Sequence, residues 1–465
     1  MTVLPLARDG RKPRRPSRAP LLPKLGGGHE GADAAGEGGF DGASFSGAVF
    51  NLSTTVVGAG IMALPAAVKV LGLVPGLAMI VLGALLTEAS IDMILRAGRP
   101  PSGPRATSYA AVVGDAFGSA GRALLQTCVV VNNLGMLIVY MIIIGDVLSG
   151  TSPSDGGDHH TGVLEGWFGR HWWTARSFVL LATTLLVFAP LISFKRVDSL
   201  RYTSALSVAL ALVFVVVTAG IAVVKLMDGS AGLPRLLPEI LNQASFWKLF
   251  TTVPILVTAY ICQYSVHPIE NELKDPSQMK SITRATMCLC STVYVATSLF
   301  GFMLFGEETM DDVLANFDAD LGFPTYGALL SGIVRVSYVL HLMLVFPIIF
   351  YSLRLNLDGL LFPLAIPLTY DGQRFAAITV GLMGAVFCGA NFVPSIWDAF
   401  QFTGATAAVA IGFIFPAAVA LRDVYEVMTR KDKVLACFMI LLAVSSSTIA
   451  ISSDIYGIFT NESGS

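Results

Sequence analysis

Charge is what this 465-residue chain has least of: Asp, Glu, Lys and Arg together make up 13% of it, about half the share usual in soluble domains. The formal net charge is −2, so the electrostatic footprint that nucleic-acid binding requires is missing. The six cysteines, Cys128, Cys262, Cys288, Cys290, Cys388 and Cys437, include no C-x-x-C pair and lie almost entirely inside apolar runs. That spacing excludes a zinc site and gives no disulfide framework. No G-x-x-x-x-G-K-[ST] phosphate loop is present, which argues against an ATP-driven pump. No convergent nucleophile and base, and no cluster of metal-ligand type, argues for an enzyme or a bound cofactor. The first forty-odd residues lack the apolar core of a signal peptide. Their Gly, Ala, Pro and Arg content predicts a disordered cytosolic tail over 1–43.

What the chain has instead is apolar length: 54% of it is hydrophobic, with a mean hydropathy of +0.69. The expectation is an all-α integral membrane protein. Spans of about 20 residues can be placed eleven times, near 44–70, 73–95, 122–149, 174–193, 200–226, 246–270, 281–305, 326–353, 374–391, 394–421 and 433–459. The polar stretch Tyr109–Gly121 reads as a helix on the membrane surface. Cytosolic loops are enriched in Lys and Arg. With a cytosolic N-terminus and eleven crossings, the cytosolic side collects the basic tail, Arg96, Arg99, Arg105, Arg122, Lys195, Arg196, Arg201, Lys274, Lys280, Arg284, Arg354, Arg374, Arg422, Arg430, Lys431 and Lys433. The far side keeps Arg170, Arg176, Lys225, Arg235 and Lys248, with the acidic loop Glu307–Asp320. A transmembrane domain over 44–460 and a luminal C-terminal tail over 461–465 follow.

Two of the spans are interrupted. Ser46–Pro65 carries Gly58, Gly60 and Pro65, and glycine permits backbone that a helix forbids while proline breaks the helical ladder. Five spans later, Thr258–Leu273 carries Gln263, Ser265 and His267 just ahead of Pro268. Irregular backbone in hydrocarbon survives only where it meets protein or lines a cavity. Interrupted helices at corresponding places of two five-helix halves point to an inverted-repeat transporter, with an eleventh helix added. Half-helix N-termini suit a carboxylate and half-helix C-termini a cation, a pair that matches a zwitterionic amino acid. The alternative for the first stretch alone is a Gly/Ala packing face.

Phe50-Asn-Leu-Ser53 with Val57-Gly-Ala-Gly-Ile61, Leu200-Arg-Tyr-Thr-Ser204, Pro268-Ile-Glu-Asn-Glu-Leu273, and Gly404-Ala-Thr-Ala-Ala408 with Phe413-Ile-Phe-Pro416 resemble, in order, motifs of the amino acid/auxin permease family over about residues 44–460. Among its branches the chain looks most similar to the plant vacuolar amino acid exporters, with the sodium-coupled neutral amino acid transporters more distant. The resemblance implies a LeuT-like 5+5 fold with the first and sixth helices broken, amino acid transport, and a vacuolar membrane, with plasma or endoplasmic reticulum membrane as alternatives. The expected partners are an amino acid, membrane lipid and, as coupling ion, protons. In the sodium-coupled relatives a Thr on the eighth helix is a ligand; the matching positions here are Met343 and Val345, which offer sodium no oxygen, although Asn51 and Thr54 remain. Sodium-independent transport, driven by protons or by the substrate gradient, is therefore expected. The rival class is an amino acid sensor without sustained flux; it would call for a long docking segment, and the tail here is short.

The candidate substrate contacts are Thr54, Gly58, Ala59, Gly60, Ile61, Asn133, Cys262, Gln263 and Ser265. Ionisable groups within spans are costly and so are candidates for coupling or gating. His267 could carry a proton or satisfy a broken-helix carbonyl. Glu88 could gate, face a vestibule or, like Asp92, pair with Arg96. Arg335 could pair with Asp146 or Asp398, or capture an acidic side chain. His341 is expected to be packed and hydrogen-bonded, Asn132 and Asn133 to meet either substrate or a neighbouring helix, and Thr403 and Thr406 to line a pathway or a packing face.

Overall fold

A computed structural model of the chain describes residues 42–462, apart from 102, 151–161, 231, 233, 241–242, 318–325 and 393–403. Numbered in chain order, its helices begin with α1 (Phe45–Val56), α2 (Gly60–Leu71), α3 (Leu73–Ala97) and α4 (Tyr109–Ser149). A short α5 (Val163–Phe168) precedes α6 (Arg176–Ile192), which is wound as a π-helix over Thr184–Phe188. Then come α7 (Arg201–Met227), α8 (Gln243–Tyr260), α9 (Gln263–Glu272), α10 (Met279–Phe305), the one-turn α11 (Val313–Asn316) and α12 (Gly327–Leu361). The last are α13 (Gly372–Phe392), α14 (Thr406–Arg422) and α15 (Arg430–Glu462).

Local chemistry sets several of these limits. Ser44 caps α1, its hydroxyl accepting from the Gly47 N–H at 3.2 Å. Ser108 caps α4 through the Ala111 N–H at 3.0 Å. The polar stretch from Tyr109 is helical and runs into the expected span within α4, with a kink at Gly118, whose φ of 72° and ψ of −165° leave the helix at that residue. By length and composition eight helices among the described residues can each cross a membrane, or nine with the bent pair α1–α2 taken as one span. α6 and α14 are shorter apolar helices, and most of the first half of the expected tenth span lies outside the described residues. The architecture is thus all-α and multi-pass.

α4, α12 and the α8–α9 pair are mostly buried, whereas α13 and the Arg430–Ser452 part of α15 are the least buried of the membrane-length helices. The first set forms the centre, with α12 packed on α4 and α7, and the second the periphery. This arrangement brings α1–α2 and α8–α9 together, because α2 packs on α8 and α1 on α7, α10 and α12.

Candidate functional site: two broken helices

α1 stops at Val56. Val57 is extended, its N–H still bonded to the Ser53 carbonyl, and α2 restarts at Gly60 with its axis turned by 58°. Neither glycine of the break takes a positive φ. They are needed because neighbours come close. A Cβ on Gly58 would stand 1.9 Å from the Tyr140 hydroxyl, and one on Gly60 would stand 2.9 Å from Cα of Ala259 on α8. Pro65 is not at the break; it lies within α2.

The second interruption falls at Ile261–Cys262, between α8 and α9, with Cys262 at φ −150° and ψ 3°. It too lies ahead of its proline, since Pro268 is inside α9. Each proline comes five residues after the start of its half-helix, Gly60 to Pro65 and Gln263 to Pro268. The expected breaks exist, but the prolines do not mark them. Having no N–H, each leaves the carbonyl four residues back, of Ile61 or Tyr264, without its helical donor.

Four side chains hold the breaks. The Tyr294 hydroxyl of α10 lies 2.7 Å from the Val56 carbonyl and 2.6 Å from the Ala259 carbonyl, joining the C-terminal ends of α1 and α8. Tyr140 accepts from the Ala59 N–H at 3.3 Å, and Tyr338 donates to the Gly58 carbonyl at 3.3 Å. His341 places Nε2 3.1 Å from the Val57 carbonyl and Nδ1 2.8 Å from the Ser207 carbonyl. These partners were not singled out by sequence, apart from His341 as a packed residue. A tyrosine in an apolar run looks like any buried aromatic. The only available signal was that a buried phenol needs a partner.

Of the expected substrate contacts, Thr54, Gly58, Ala59, Gly60 and Ile61 are buried at the first break, with Thr54 Oγ1 donating to the Ser204 carbonyl at 3.1 Å. At the second, Gln263 Oε1 accepts from the Cys262 N–H at 3.0 Å, while its Nε2 donates to Ser90 Oγ at 2.9 Å. Ser265 and Ser352 hydroxyls meet at 3.0 Å. Asn133, on α4 seven residues before Tyr140, accepts from Asn132 at 3.0 Å. Its own Nδ2 and the Oδ1 of Asn132 are buried without a partner.

The coupling and gating candidates disperse. His267 is buried within α9, with Nδ1 unpartnered, and feels Arg99 and Arg105. Glu88 pairs with Arg284 at 3.0 Å, not with Arg96. Both line a groove of about 560 Å³ between α3 and α10. Asp92 does pair with Arg96, at 2.8 Å, and also with Lys280 at 2.9 Å. Arg335 is buried in α12, and Asp146 lies 3.3 Å from Arg176. Asp398 and Thr403 fall outside the described residues. Asn51 donates to the Val197 carbonyl at 3.1 Å, and Met343 and Val345 are buried in α12.

One end of the α9 half-helix is tied shut. The Glu270 carboxylate lies 2.6 Å from Arg99 and 3.6 Å from Arg105. Glu272 accepts the N–H groups of Val197 and Asp198, at 2.9 and 2.6 Å, just ahead of α7. Ala43 pairs with Leu273 as an isolated parallel β-bridge. The Glu270 and Glu272 anchors come from the sequence stretch that resembles a family motif, but their partners lie on loops far away in the chain.

Two helices broken at adjoining points, inside a bundle of membrane-length helices, define an integral membrane protein of the multi-pass transporter class. The backbone resembles a solved manganese transporter of Eremococcus coleocola, with a TM-score of 0.56 over 89% of this chain and 87% of that one at 14% identity, a likeness of fold alone. Residues 41–455 match the family described as "Transmembrane amino acid transporter protein", and the chain belongs to it. It is 59% identical to amino acid transporter AVT6A of Arabidopsis thaliana over 95% of this chain and 94% of that protein. AVT6B of the same plant is also 59% identical, over 95% of each. Solute carrier family 38 member 10 of Pongo abelii is 26% identical over 89% of this chain but 35% of its own length. The protein is therefore an amino acid transporter of a membrane and not an enzyme.

Proposed function

We propose that the chain is a secondary active transporter in which a zwitterionic amino acid binds where α1–α2 and α8–α9 break. The observation that carries this is the Tyr294 hydroxyl between the Val56 and Ala259 carbonyls, which places the two breaks side by side at one point. The N-terminal ends of α2 and α9 supply dipoles for the carboxylate, and the C-terminal ends of α1 and α8 for the ammonium. Thr54, Gly58, Ala59, Gly60, Ile61, Asn133, Cys262, Gln263 and Ser265 form the site. The Asn133 Nδ2, buried without a hydrogen-bond partner, has a bond to gain from a ligand.

The architecture proposed is eleven spans as a LeuT-like 5+5 inverted repeat plus one helix. Its N-terminal tail over 1–43 is cytosolic, 44–460 is the transport domain and 461–465 is luminal. Alternating access then swings one bundle about the breaks. The Glu270–Arg99–Arg105 cluster closes one end, and His267, Glu88, Arg335 and Asp398 act in gating and coupling. Resemblance to plant vacuolar exporters supports the vacuolar membrane. Met343 and Val345, without side-chain oxygen on α12, support sodium independence and leave protons or the substrate gradient as the drive.

The experiment is uptake of a panel of radiolabelled amino acids into proteoliposomes, first with sodium replaced by choline, then at varied pH in choline. Saturable uptake that survives choline is expected, with a rate that depends on pH. A several-fold fall without sodium overturns sodium independence. Binding without uptake identifies a sensor.

A further inference from the structure

The His341 imidazole lies fully buried between two backbone carbonyls that belong to different helices. Nε2 is 3.1 Å from the Val57 oxygen, just past the end of α1, and Nδ1 is 2.8 Å from the Ser207 oxygen of α7. A carbonyl can only accept a hydrogen bond, and a neutral imidazole has one N–H. In either neutral tautomer one ring nitrogen points its lone pair at a carbonyl oxygen within hydrogen-bonding distance. The Ser207 hydroxyl, 2.9 Å from Nδ1, can relieve one of these tautomers by donating to Nδ1. It leaves the Ser207 carbonyl facing that same nitrogen. Only the imidazolium, with an N–H on each nitrogen, donates to both carbonyls at once.

We propose that the transported proton rides on His341, and that the broken end of α1 is what binds it there. This rests on the proton-coupled reading given above. The Val57 carbonyl stands at the C-terminal, partially negative end of a half-helix, the position at which a helix favours a cation. No carboxylate is among the described partners of His341, whose ring stacks on Tyr338 at 5.7 Å. The charge is therefore held by two backbone carbonyls, one at the end of α1 and one inside α7, instead of by an ion pair, and moving α1 removes the first of them. The Gly58 carbonyl next to Val57 is held by Tyr338, one turn earlier on α12, so both anchors of the break lie on the same helix face. Closure of the break would take a proton from water onto the free ring nitrogen, and opening would return it to water on the other side. No other bond is made or broken.

The titratable groups around it are few. α1 has none, and those of α7 are near its ends, at Arg201, Tyr202 and Lys225. α4 brings Tyr140 and α10 brings Cys290 and Tyr294. Asp312, which caps α11, acts on Tyr338. α9 carries Tyr264, His267, Glu270 and Glu272, α5 Glu165, and α13 Arg374, which is paired with Asp358 of α12; α12 itself brings the buried Arg335 six residues before His341.

The test uses the full chain in liposomes that contain a pH-sensitive dye, given a mixture of radiolabelled proteinogenic amino acids, and reads protons moved per amino acid taken up. In the wild type the two move together. In His341→Gln the ratio is expected to fall towards zero, whatever flux remains; an unchanged ratio overturns the proposal. Wild-type uptake without proton movement also overturns it while leaving amino acid transport standing, and no uptake at all overturns the transport reading itself. Where His341→Gln carries too little flux to give a ratio, Ser207→Ala decides. It removes the one group that can donate to Nδ1 of the neutral ring, while the charged ring keeps both carbonyls as acceptors. The midpoint of the pH–rate profile should then move to alkaline pH by roughly half to one unit, the equivalent of one ordinary hydrogen bond. An unmoved midpoint overturns the proposal.

Discussion

Gly58 has the shortest such approach among the described glycines, because the Tyr140 hydroxyl occupies the space in which any Cβ would lie. Gly58→Ala should lower transport by roughly five- to a hundredfold, since overpacking of this kind costs about 1–3 kcal/mol and each 1.4 kcal/mol is about a factor of ten. Adding Tyr140→Phe removes the offending oxygen and leaves ring carbon Cζ 3.1 Å away, so the double variant should recover part of the uptake lost in the single one. Equal uptake by wild type and Gly58→Ala would reduce the stretch to a packing face. Tyr294→Phe removes the single O–H that stands between the Val56 and Ala259 carbonyls and is given to one of them at a time. A buried acceptor left unpaired costs about 1–3 kcal/mol. A lower melting temperature in detergent, together with reduced uptake, is expected, with both measured on the same preparation. Sequence placed Gly58 in the right stretch but for a different reason: glycine is required there by close approach and not by backbone angle. Tyr140, Tyr294 and Tyr338 could not be read as break partners, because what they bond to is decided by helices far away in the chain.

At the scale of elements, both broken spans were legible as polar, glycine- or proline-bearing interruptions of apolar runs. Their positions were not. Pro65 and Pro268 lie inside α2 and α9, and the chain departs from helix where a hydroxyl or an imidazole from another element takes the freed carbonyl. The small helix α11 gives a pH prediction of its own. Asp312 caps it, accepting from the Leu314 N–H at 2.9 Å. Burial pushes its carboxyl up from 3.8 to about 6, although the Leu314 N–H favours the charged form. The fold therefore suits the protonated acid better. That contribution to stability is complete below the unfolded value, near pH ~3.9, and is lost as pH rises through about 6. Thermal unfolding in detergent between about pH 4 and 7 should show the wild type weakening across this window. Asp312→Asn, which keeps an acceptor for Leu314 but cannot titrate, should show less change. An identical pH profile for the two would remove Asp312 as the source.

For the whole molecule, the distribution of Lys and Arg between alternate loops predicts a cytosolic N-terminus and a C-terminus on the opposite side after eleven crossings. A tag added after Ser465, beyond the sequon Asn461-Glu-Ser463, should be protected from protease added outside sealed vesicles of vacuolar origin. Cleavage of the tag without detergent would mean one crossing too many or too few.

Sequence alone determined that this is a membrane protein made of helices, which family it belongs to, and which two spans are interrupted. Those properties are local: apolar length, loop charge and short motifs are written in consecutive residues, and a bilayer acts on each span separately. Tertiary structure decided where each interruption falls, which groups satisfy it, and which ionisable residues reach it. His341 meets Val57, and Tyr294 meets both Val56 and Ala259, across sequence separations of 284, 238 and 35 residues. His267 and Glu88, the first and second expectations for the coupling role, lie beside charges that only packing supplies, Arg99 and Arg105 for the one and Arg284 for the other. The physical reason is that a broken helix in a membrane must find hydrogen-bond partners within the protein, and only the packing of helices distant in sequence determines which partners come within reach.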